Sequence, residues 1–181
     1  MLSKNKLLNY YAILGQLNQP DGKVVADLGC GQFGYFVFPL ARLVGGSGKV
    51  YAIDVLPGAL EAIKRQARLE NLAQIETVWS DLEVAGATPV HGKKLDAAFL
   101  INVLYQAHDG LDMIREAVRM LKSGGKLIVV EWSEKAKELG PPPSQRIKKD
   151  KLLAGITSLG LELDQDFSPG SYHYGLTFKK K

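Results

Sequence analysis

The chain of 181 residues has one cysteine, Cys30, and therefore cannot form an internal disulfide bond. Its three histidines lie far apart in the sequence and no cysteine pair exists, so no metal-binding pattern is present. No apolar run approaches the ~18 residues that cross a bilayer. The first residues also lack the layout of a secretory signal. We therefore expect a cytoplasmic protein with no metal site and no membrane span.

The chain also lacks a strong net charge of either sign, since its formal net charge is only +4. Much of the positive excess comes from two short clusters, residues 146–151 and 179–181. Mild basicity is compatible with nucleic-acid binding but does not require it. We interpret both clusters as solvated surface.

The rest of the composition is typical of a globular protein, with 46% hydrophobic and 23% charged residues. This length favours a single domain over residues 1–181. Strand-like and helix-like segments alternate along most of the chain. That alternation predicts a doubly wound α/β fold, with helices on both faces of a mainly parallel sheet.

Hydrophobic periodicity and turn residues place the individual elements. Asp109 is positioned to cap one helix, and residues 83–94 are expected to form a loop. Residues flanking Ser168-Pro169-Gly170 form a hairpin, so the last strand should run antiparallel. The predicted helices are 3–18, 33–44, 57–70, 110–121 and 147–159, and the predicted strands are 23–28, 49–53, 75–79, 95–101, 126–131, 161–167 and 171–178.

Residues 24–34 form the most informative stretch of the sequence. They predict a strand that ends in a glycine-rich turn before a helix. Gly29 and Gly31 allow the backbone to approach a ligand closely, and the following helix offers free N–H groups. Asp54 follows a second strand and can accept hydrogen bonds from ribose hydroxyls. This arrangement fits either a dinucleotide or an adenosine-bearing thioether cofactor.

Asp27 favours the adenosine-bearing thioether cofactor over a dinucleotide. A carboxylate at the mouth of the turn would repel a pyrophosphate, whereas it would attract an ammonium group such as that of S-adenosylmethionine. A turn-forming aspartate is the structural alternative.

Five segments in this order resemble the motifs of class I S-adenosylmethionine-dependent methyltransferases, and the resemblance extends over about residues 20–178. It is strongest to small-molecule enzymes of the ubiquinone and menaquinone biosynthesis type. The family's glycine turn commonly reads D-x-G-x-G-x-G, whereas here Phe33 takes the third position and Gly34 follows it. The segments are Asp27-Leu28-Gly29-Cys30-Gly31, residues 48–54, Ser80-Asp81-Leu82, residues 95–105 and residues 121–127.

This resemblance implies a Rossmann-like methyltransferase fold with the sheet order 3-2-1-4-5-7-6. Residues 1–20 would then form an N-terminal helix, 21–131 the cofactor-binding half, and 132–181 a substrate-side loop, helix and hairpin. It also implies that S-adenosylmethionine is the cofactor and that a small molecule accepts the methyl group. The implied cofactor-binding residues are Asp27, Gly29, Cys30, Gly31, Asp54, Val55, Asp81, Leu82 and Asn102.

Within that set, Asp54 would hold the ribose and Val55 would pack on the adenine ring. Asp81 and the Leu82 N–H would bind the adenine edge, and Asn102 would lie near the methionine part. Capping and turn formation are the structural alternatives for Asp54 and Asp81.

For the acceptor side, His108 is the candidate general base, since its ordinary pKa of about 6.5 suits that task. Tyr105 is a second candidate catalytic residue and, with Trp132, Tyr172 and His173, would line the acceptor pocket. Loop and packing roles remain the alternatives for these residues.

Three other functions stay open at this point. The basic clusters are compatible with an RNA or protein methyltransferase, although the chain lacks the Asn/Asp-Pro-Pro-Tyr segment of many base-amino methyltransferases. The displaced glycine is compatible with a cofactor-binding subunit that performs no chemistry. A nicotinamide-dependent oxidoreductase is the least favoured alternative.

Overall fold

The computed structural model describes residues 7–90 and 94–181, and its core is a seven-stranded sheet. His91, one of the three histidines, lies outside the described residues, as does the start of the predicted first helix. Among the described residues, no helix has the length and apolar composition needed to cross a membrane. The strands are β1 (Val24–Leu28), β2 (Lys49–Asp54), β3 (Ile75–Trp79), β4 (Leu95–Ile101), β5 (Leu121–Trp132), β6 (Leu161–Phe167) and β7 (His173–Lys180).

The sheet has the order β3-β2-β1-β4-β5-β7-β6, which confirms the predicted order. β7 runs antiparallel to both of its neighbours, and the remaining pairs are parallel. The carboxyl ends of β1 to β5 therefore meet at one edge, where open α/β sheets bind ligands.

Helices cover both faces of this sheet. On one face, α1, α2 and α3 bury side chains such as Ile13, Leu40 and Ile63 against the strands. On the other face, α4 and α5 contribute Ile114 and Ile156 to a second core. The helices are α1 (Tyr10–Leu14), α2 (Val37–Val44), α3 (Pro57–Leu69), α4 (Gly110–Met120) and α5 (Lys149–Ser158), with short 3₁₀ turns at Leu104–Gln106, Glu134–Ala136 and Pro143–Gln145.

Local signals predicted most elements to within a few residues. Asp109 caps α4 as expected, because its carboxylate accepts the N–H of Leu111 at 2.9 Å. The continuous apolar run of β5 is completely buried from Leu127 to Val130, as a central strand should be.

Three predicted boundaries were wrong. Among the described residues, α1 covers only Tyr10–Leu14, because Asn9 caps its start and the chain turns after Gly15. α2 begins at Val37 instead of residue 33, since Gly34 has a positive φ of 55° that interrupts a helix. β5 begins five residues early, where Leu121 pairs with Leu95 before a shift in register.

Candidate functional site

The glycine turn after β1 is bonded to the end of β2. The N–H groups of Gly29 and Cys30 both donate to the carbonyl oxygen of Ile53, at 2.8 and 3.1 Å. Gly29 has a φ of +74°, and a Cβ there would lie 2.4 Å from Cγ2 of Val103. Only glycine therefore fits this position without movement of the loop after β4.

Gly31 has a different role from Gly29. Its φ is +62°, and a Cβ built there would meet no atom of the described residues within 4 Å, because the backbone faces open space. That space is a cavity of about 400 Å³ at the carboxyl edge of the sheet. The lining residues are Gly29, Gly31, Asp54, Val55, Leu56, Ser80, Asp81, Leu82, Glu83, Val103, Gln106, Ala107 and Met113.

The structure thus brings six of the predicted cofactor residues to one cavity. They come from three separate strand ends, which the parallel topology places side by side. These six are Gly29, Gly31, Asp54, Val55, Asp81 and Leu82.

Asp54 organises the centre of this cavity. One carboxylate oxygen accepts the N–H of Gly31 at 2.9 Å, and the other accepts the N–H of Leu56 at 2.9 Å. Each oxygen keeps a second lone pair, so the carboxylate can still accept hydroxyl donors. Its exposure is only 7%, which removes competing water from those bonds.

Asp81 follows β3 and stabilises its own turn. Its carboxylate accepts the N–H of Glu83 at 2.9 Å, which is the turn-forming role considered as the structural alternative. The side chain also lines the cavity, and neighbouring Leu82 is buried there. This hydrogen bond uses one carboxylate oxygen of Asp81, so the second oxygen can still accept a hydrogen bond from a ligand.

Asp27 and Cys30 are buried and are not among the residues that line the cavity. Burial, together with the nearby charge of Asp54, raises the pKa of Asp27 to about 7. Burial and the same two carboxylates also raise the pKa of the Cys30 thiol. The thiol is therefore protonated at neutral pH, as is usual for a buried packing cysteine, whereas Asp27 is a buried acid that a nearby cation would ionise.

Asn102, predicted to lie near the methionine part of the cofactor, follows β4 directly and does not line the cavity. It has a positive φ of 54°, which is uncommon for a residue with a side chain and is often found at functional sites. Its Nδ2 lies 3.1 Å from Nε2 of His173, whose ring packs on Trp132 with centroids 4.1 Å apart. Burial lowers the pKa of His173 to about 4, so the ring is neutral near pH 7.

Glu131 is a buried acid that sequence reasoning did not single out. Its side chain is fully buried, and Oε1 accepts the N–H of Leu104 at 2.8 Å. Burial raises its pKa to about 7, although bonds from the backbone N–H groups of the loop oppose the shift. Burial and Glu131 also raise the pKa of Tyr105. The one sequence signal for Glu131 is an acid at the end of an apolar strand.

The two candidate catalytic residues do not line the cavity. His108 is exposed and Tyr105 is half-buried, and both stay predictions. Gln106 and Ala107, which lie between them, line the cavity instead. The pattern gave no reason to choose these two, because their side chains carry no distinctive chemistry.

Phe33 takes the third position of the family's glycine turn and Gly34 follows it, and this difference affects how the turn packs. Gly34 packs against Ile63 and Phe38, so a larger side chain at that position would clash. Phe33 and Tyr35 on either side of it are 62% and 61% exposed and pack together with ring centroids 5.5 Å apart. The turn therefore keeps its glycine one position later and presents two aromatic rings beside it.

Comparisons with known proteins agree with this architecture. A family model described as a methyltransferase domain matches residues 26–129, more than half of the chain. Demethylmenaquinone methyltransferase from Lactococcus lactis is 32% identical over 112 residues, which cover 62% of this chain and 43% of that protein. The chain spans about a third to a half of the length of such curated relatives.

Two solved structures show the same fold. An S-adenosylmethionine-dependent methyltransferase from Aquifex aeolicus superposes with a TM-score of 0.85 at 22% identity, covering 98% of this chain and 93% of that one. Geranyl diphosphate C-methyltransferase from Streptomyces coelicolor, solved with Mg²⁺, geranyl diphosphate and S-adenosylhomocysteine, superposes at 0.74 with 16% identity, covering 93% and 78%. The chain belongs to the methyltransferase-domain family and has the fold and motif order of its class I S-adenosylmethionine-dependent members.

Proposed function

We propose that this chain binds S-adenosylmethionine at the carboxyl edge of its sheet and transfers the methyl group to a small-molecule acceptor. The observation that carries the proposal is the joint position of Gly31 and Asp54, a bare backbone and a buried carboxylate that face the same cavity. The demethylmenaquinone methyltransferases among the relatives support a small-molecule acceptor.

The residues present fit this cofactor. The open space at Gly31 provides the cradle that a ligand would fill. Asp54 would accept the ribose hydroxyls through charge-assisted bonds, with Val55 against the adenine ring and Asp81 and Leu82 at its edge. Asp27, below the turn, would stabilise the ammonium group electrostatically, and Asn102 would border the methionine part.

When bound, S-adenosylmethionine supplies a methyl group on a sulfonium, which is already an activated leaving group. An in-line displacement then needs alignment and exclusion of water more than it needs acid or base. Asn102 and the 3₁₀ turn Leu104–Gln106 would align the acceptor, because Glu131 holds that turn through the Leu104 N–H. Where the acceptor must lose a proton, His108 or Tyr105 would take it.

Calorimetry with S-adenosylhomocysteine tests the binding step. We expect micromolar affinity for the native chain, and loss of about two or more charge-assisted bonds in Asp54→Ala should weaken it at least ~100-fold. Asp164→Ala is a control, since that acid lies at the sheet edge on β6, away from the cavity. Absence of binding by the native chain, together with binding of reduced nicotinamide cofactor, would overturn the proposal.

RNA binding measured at several salt concentrations distinguishes a small-molecule methyltransferase from an RNA methyltransferase. Part of the basic clusters is engaged within the chain, because Lys149 pairs with Asp166, Lys181 pairs with Glu162, and Arg146 binds backbone carbonyls. We therefore expect weak RNA binding with a shallow dependence on salt. Tight binding with a steep salt dependence would instead favour RNA as the acceptor.

A further inference from the structure

A second cavity opens at the carboxyl end of β5, beyond the cofactor cavity. Its volume is about 730 Å³, and its lining differs from that of the first cavity in being strongly cationic. Five basic and two acidic side chains surround it, together with two aromatic rings. The lining residues are Trp132, Ser133, Glu134, Lys135, Lys137, Pro143, Arg146, Ile147, Lys148, Lys149, Asp150 and Tyr174.

Not all of this positive charge is available to a ligand. Lys149 forms an ion pair with Asp166, and the guanidinium of Arg146 donates to four backbone carbonyls of the loop after β5. Lys135, Lys137 and Lys148 have no ion pair with any residue that the structure describes. Because these three ammonium groups surround one cavity, they favour an anion inside it.

Two further features of the lining suit an anion. Helix α5 begins at this cavity, and its N-cap residue Lys148 makes no capping bond through its side chain, so first-turn N–H groups remain available. The hydroxyl of Ser133 is buried and has no hydrogen-bond partner among the described residues. A bound oxyanion would accept hydrogen bonds from the free N–H groups, and it would meet the Ser133 hydroxyl only if that side chain turned out of its buried position.

A short chain of contacts connects this cavity to the cofactor cavity. Trp132 lines the second cavity and packs on His173 at 4.1 Å, and His173 lies 3.1 Å from Asn102. Asn102 is followed directly by Val103, which lines the first cavity. The two cavities are therefore linked by a row of packed side chains.

We propose that the second cavity is an acceptor subsite that binds a carboxylate or phosphate group of the methyl acceptor. This inference rests on the proposed function, since it names the chemical class of that acceptor. Lys135, Lys137 and Lys148 supply the charge. Trp132 lines the same cavity, and its ring is packed against His173 and Gly140. Glu134 and Asp150 oppose binding and limit how many negative charges the subsite accepts.

Trp132 also provides a direct readout of binding. The chain has two tryptophans, and Trp79 lies on the other side of the site, where its Nε1 donates to the carbonyl of Val55. In Trp79→Phe, fluorescence reports Trp132 alone. Benzoate and phenyl phosphate are the anionic probes, and benzamide is the neutral probe with the same ring.

We expect both anions, but not benzamide, to change Trp132 fluorescence saturably, with affinity that falls as salt rises. Lys148→Glu should weaken benzoate binding more than about fivefold, since loss of one unit charge near contact distance in water has about that effect and this change reverses the charge. Lys151→Glu is the matched control, because it makes the same charge change on the same helix outside the cavity. The carboxylate and phosphate probes identify which anion the subsite prefers.

The outcomes separate this inference from the proposed function. If S-adenosylhomocysteine binds but benzoate and benzamide behave alike, the subsite is wrong and the function stands. If the anions bind and S-adenosylhomocysteine does not, the cavity is an anion site of another activity. Equal losses in Lys148→Glu and Lys151→Glu would indicate nonspecific attraction and overturn the subsite, as would displacement of the probes by RNA at low concentration.

Discussion

The backbone N–H of Gly31 donates a hydrogen bond to the carboxylate of Asp54, 23 residues away in sequence, at 2.9 Å. This bond joins the turn after β1 to the end of β2, and both residues line the same cavity. The glycine turn and the carboxylate proposed to bind the ribose are therefore joined directly by this hydrogen bond. A change in the turn should consequently alter ligand binding and stability in separable ways.

Alanine substitutions at Gly31 and Gly29 should have different effects on stability and on ligand affinity. Gly31→Ala introduces a Cβ into open space, so we expect a positive-φ cost of about 1–2 kcal/mol and at least a tenfold loss of S-adenosylhomocysteine affinity. Gly29→Ala adds a clash with Val103 and should lower the thermal midpoint further. Thermal unfolding and calorimetry measure both effects, and equal destabilisation by the two changes would contradict this assignment.

Asp27 should make ligand binding release protons. Its pKa is raised to about 7 by burial and by Asp54, so roughly half of the carboxyl groups carry a proton at pH 7. An ammonium group brought to the turn favours the ionised form, and the displaced proton enters the buffer. Calorimetry of S-adenosylhomocysteine in buffers of different ionisation enthalpy should show a release of up to ~0.5 proton.

Two controls identify the source of that proton. 5′-Methylthioadenosine lacks the amino-acid part and should release none, and Asp27→Asn should abolish the release seen with S-adenosylhomocysteine. The second control is needed because Glu131 has a similarly raised pKa. Release that persists in Asp27→Asn would assign the titration to Glu131 instead.

Parallel-sheet topology and the positions of Asp54 and Asp81 were predictable because each follows from a local pattern, an apolar strand followed by a turn residue. What sequence reasoning missed depends on contacts between distant residues. Glu131 holds the loop at Leu104, and Glu116 on α4 holds the loop at Gly86 and Thr88. No periodicity or spacing encodes such pairs, since their partners lie about 30 positions apart.

Glu116 should make the protein sensitive to acid. Desolvation would raise its pKa, but bonds from Arg119, Gly86 and Thr88 outweigh it and lower the pKa to about 2. A depressed carboxyl pKa stabilises the fold above the ordinary value near 4.5, and this contribution disappears as pH falls towards 2. Denaturation of Glu116→Gln should show a loss of about 3 kcal/mol at pH 7.

The pH dependence distinguishes this role from simple packing. The stability gap between the native chain and Glu116→Gln should narrow as pH is lowered from 4.5 to 3. Asp112→Asn on the same helix is a suitable control, because its ion pair with Arg115 is exposed and contributes little. A gap that stays constant with pH would show that the carboxylate charge is not responsible.

Arg146 should determine the order of the loop after β5. Its guanidinium donates to the carbonyls of Ser133, Lys137, Leu139 and Pro141 at 2.6–3.4 Å. Glutamine at this position cannot reproduce that fan of donors, so we expect about 2 kcal/mol less stability and faster hydrogen exchange over residues 134–142. Lys148→Gln removes a nearby charge but none of these bonds, so exchange there should be unchanged. Equal exchange in Arg146→Gln and the native chain would mean that the loop is ordered by its own turns, in which case the walls of the second cavity would not depend on Arg146.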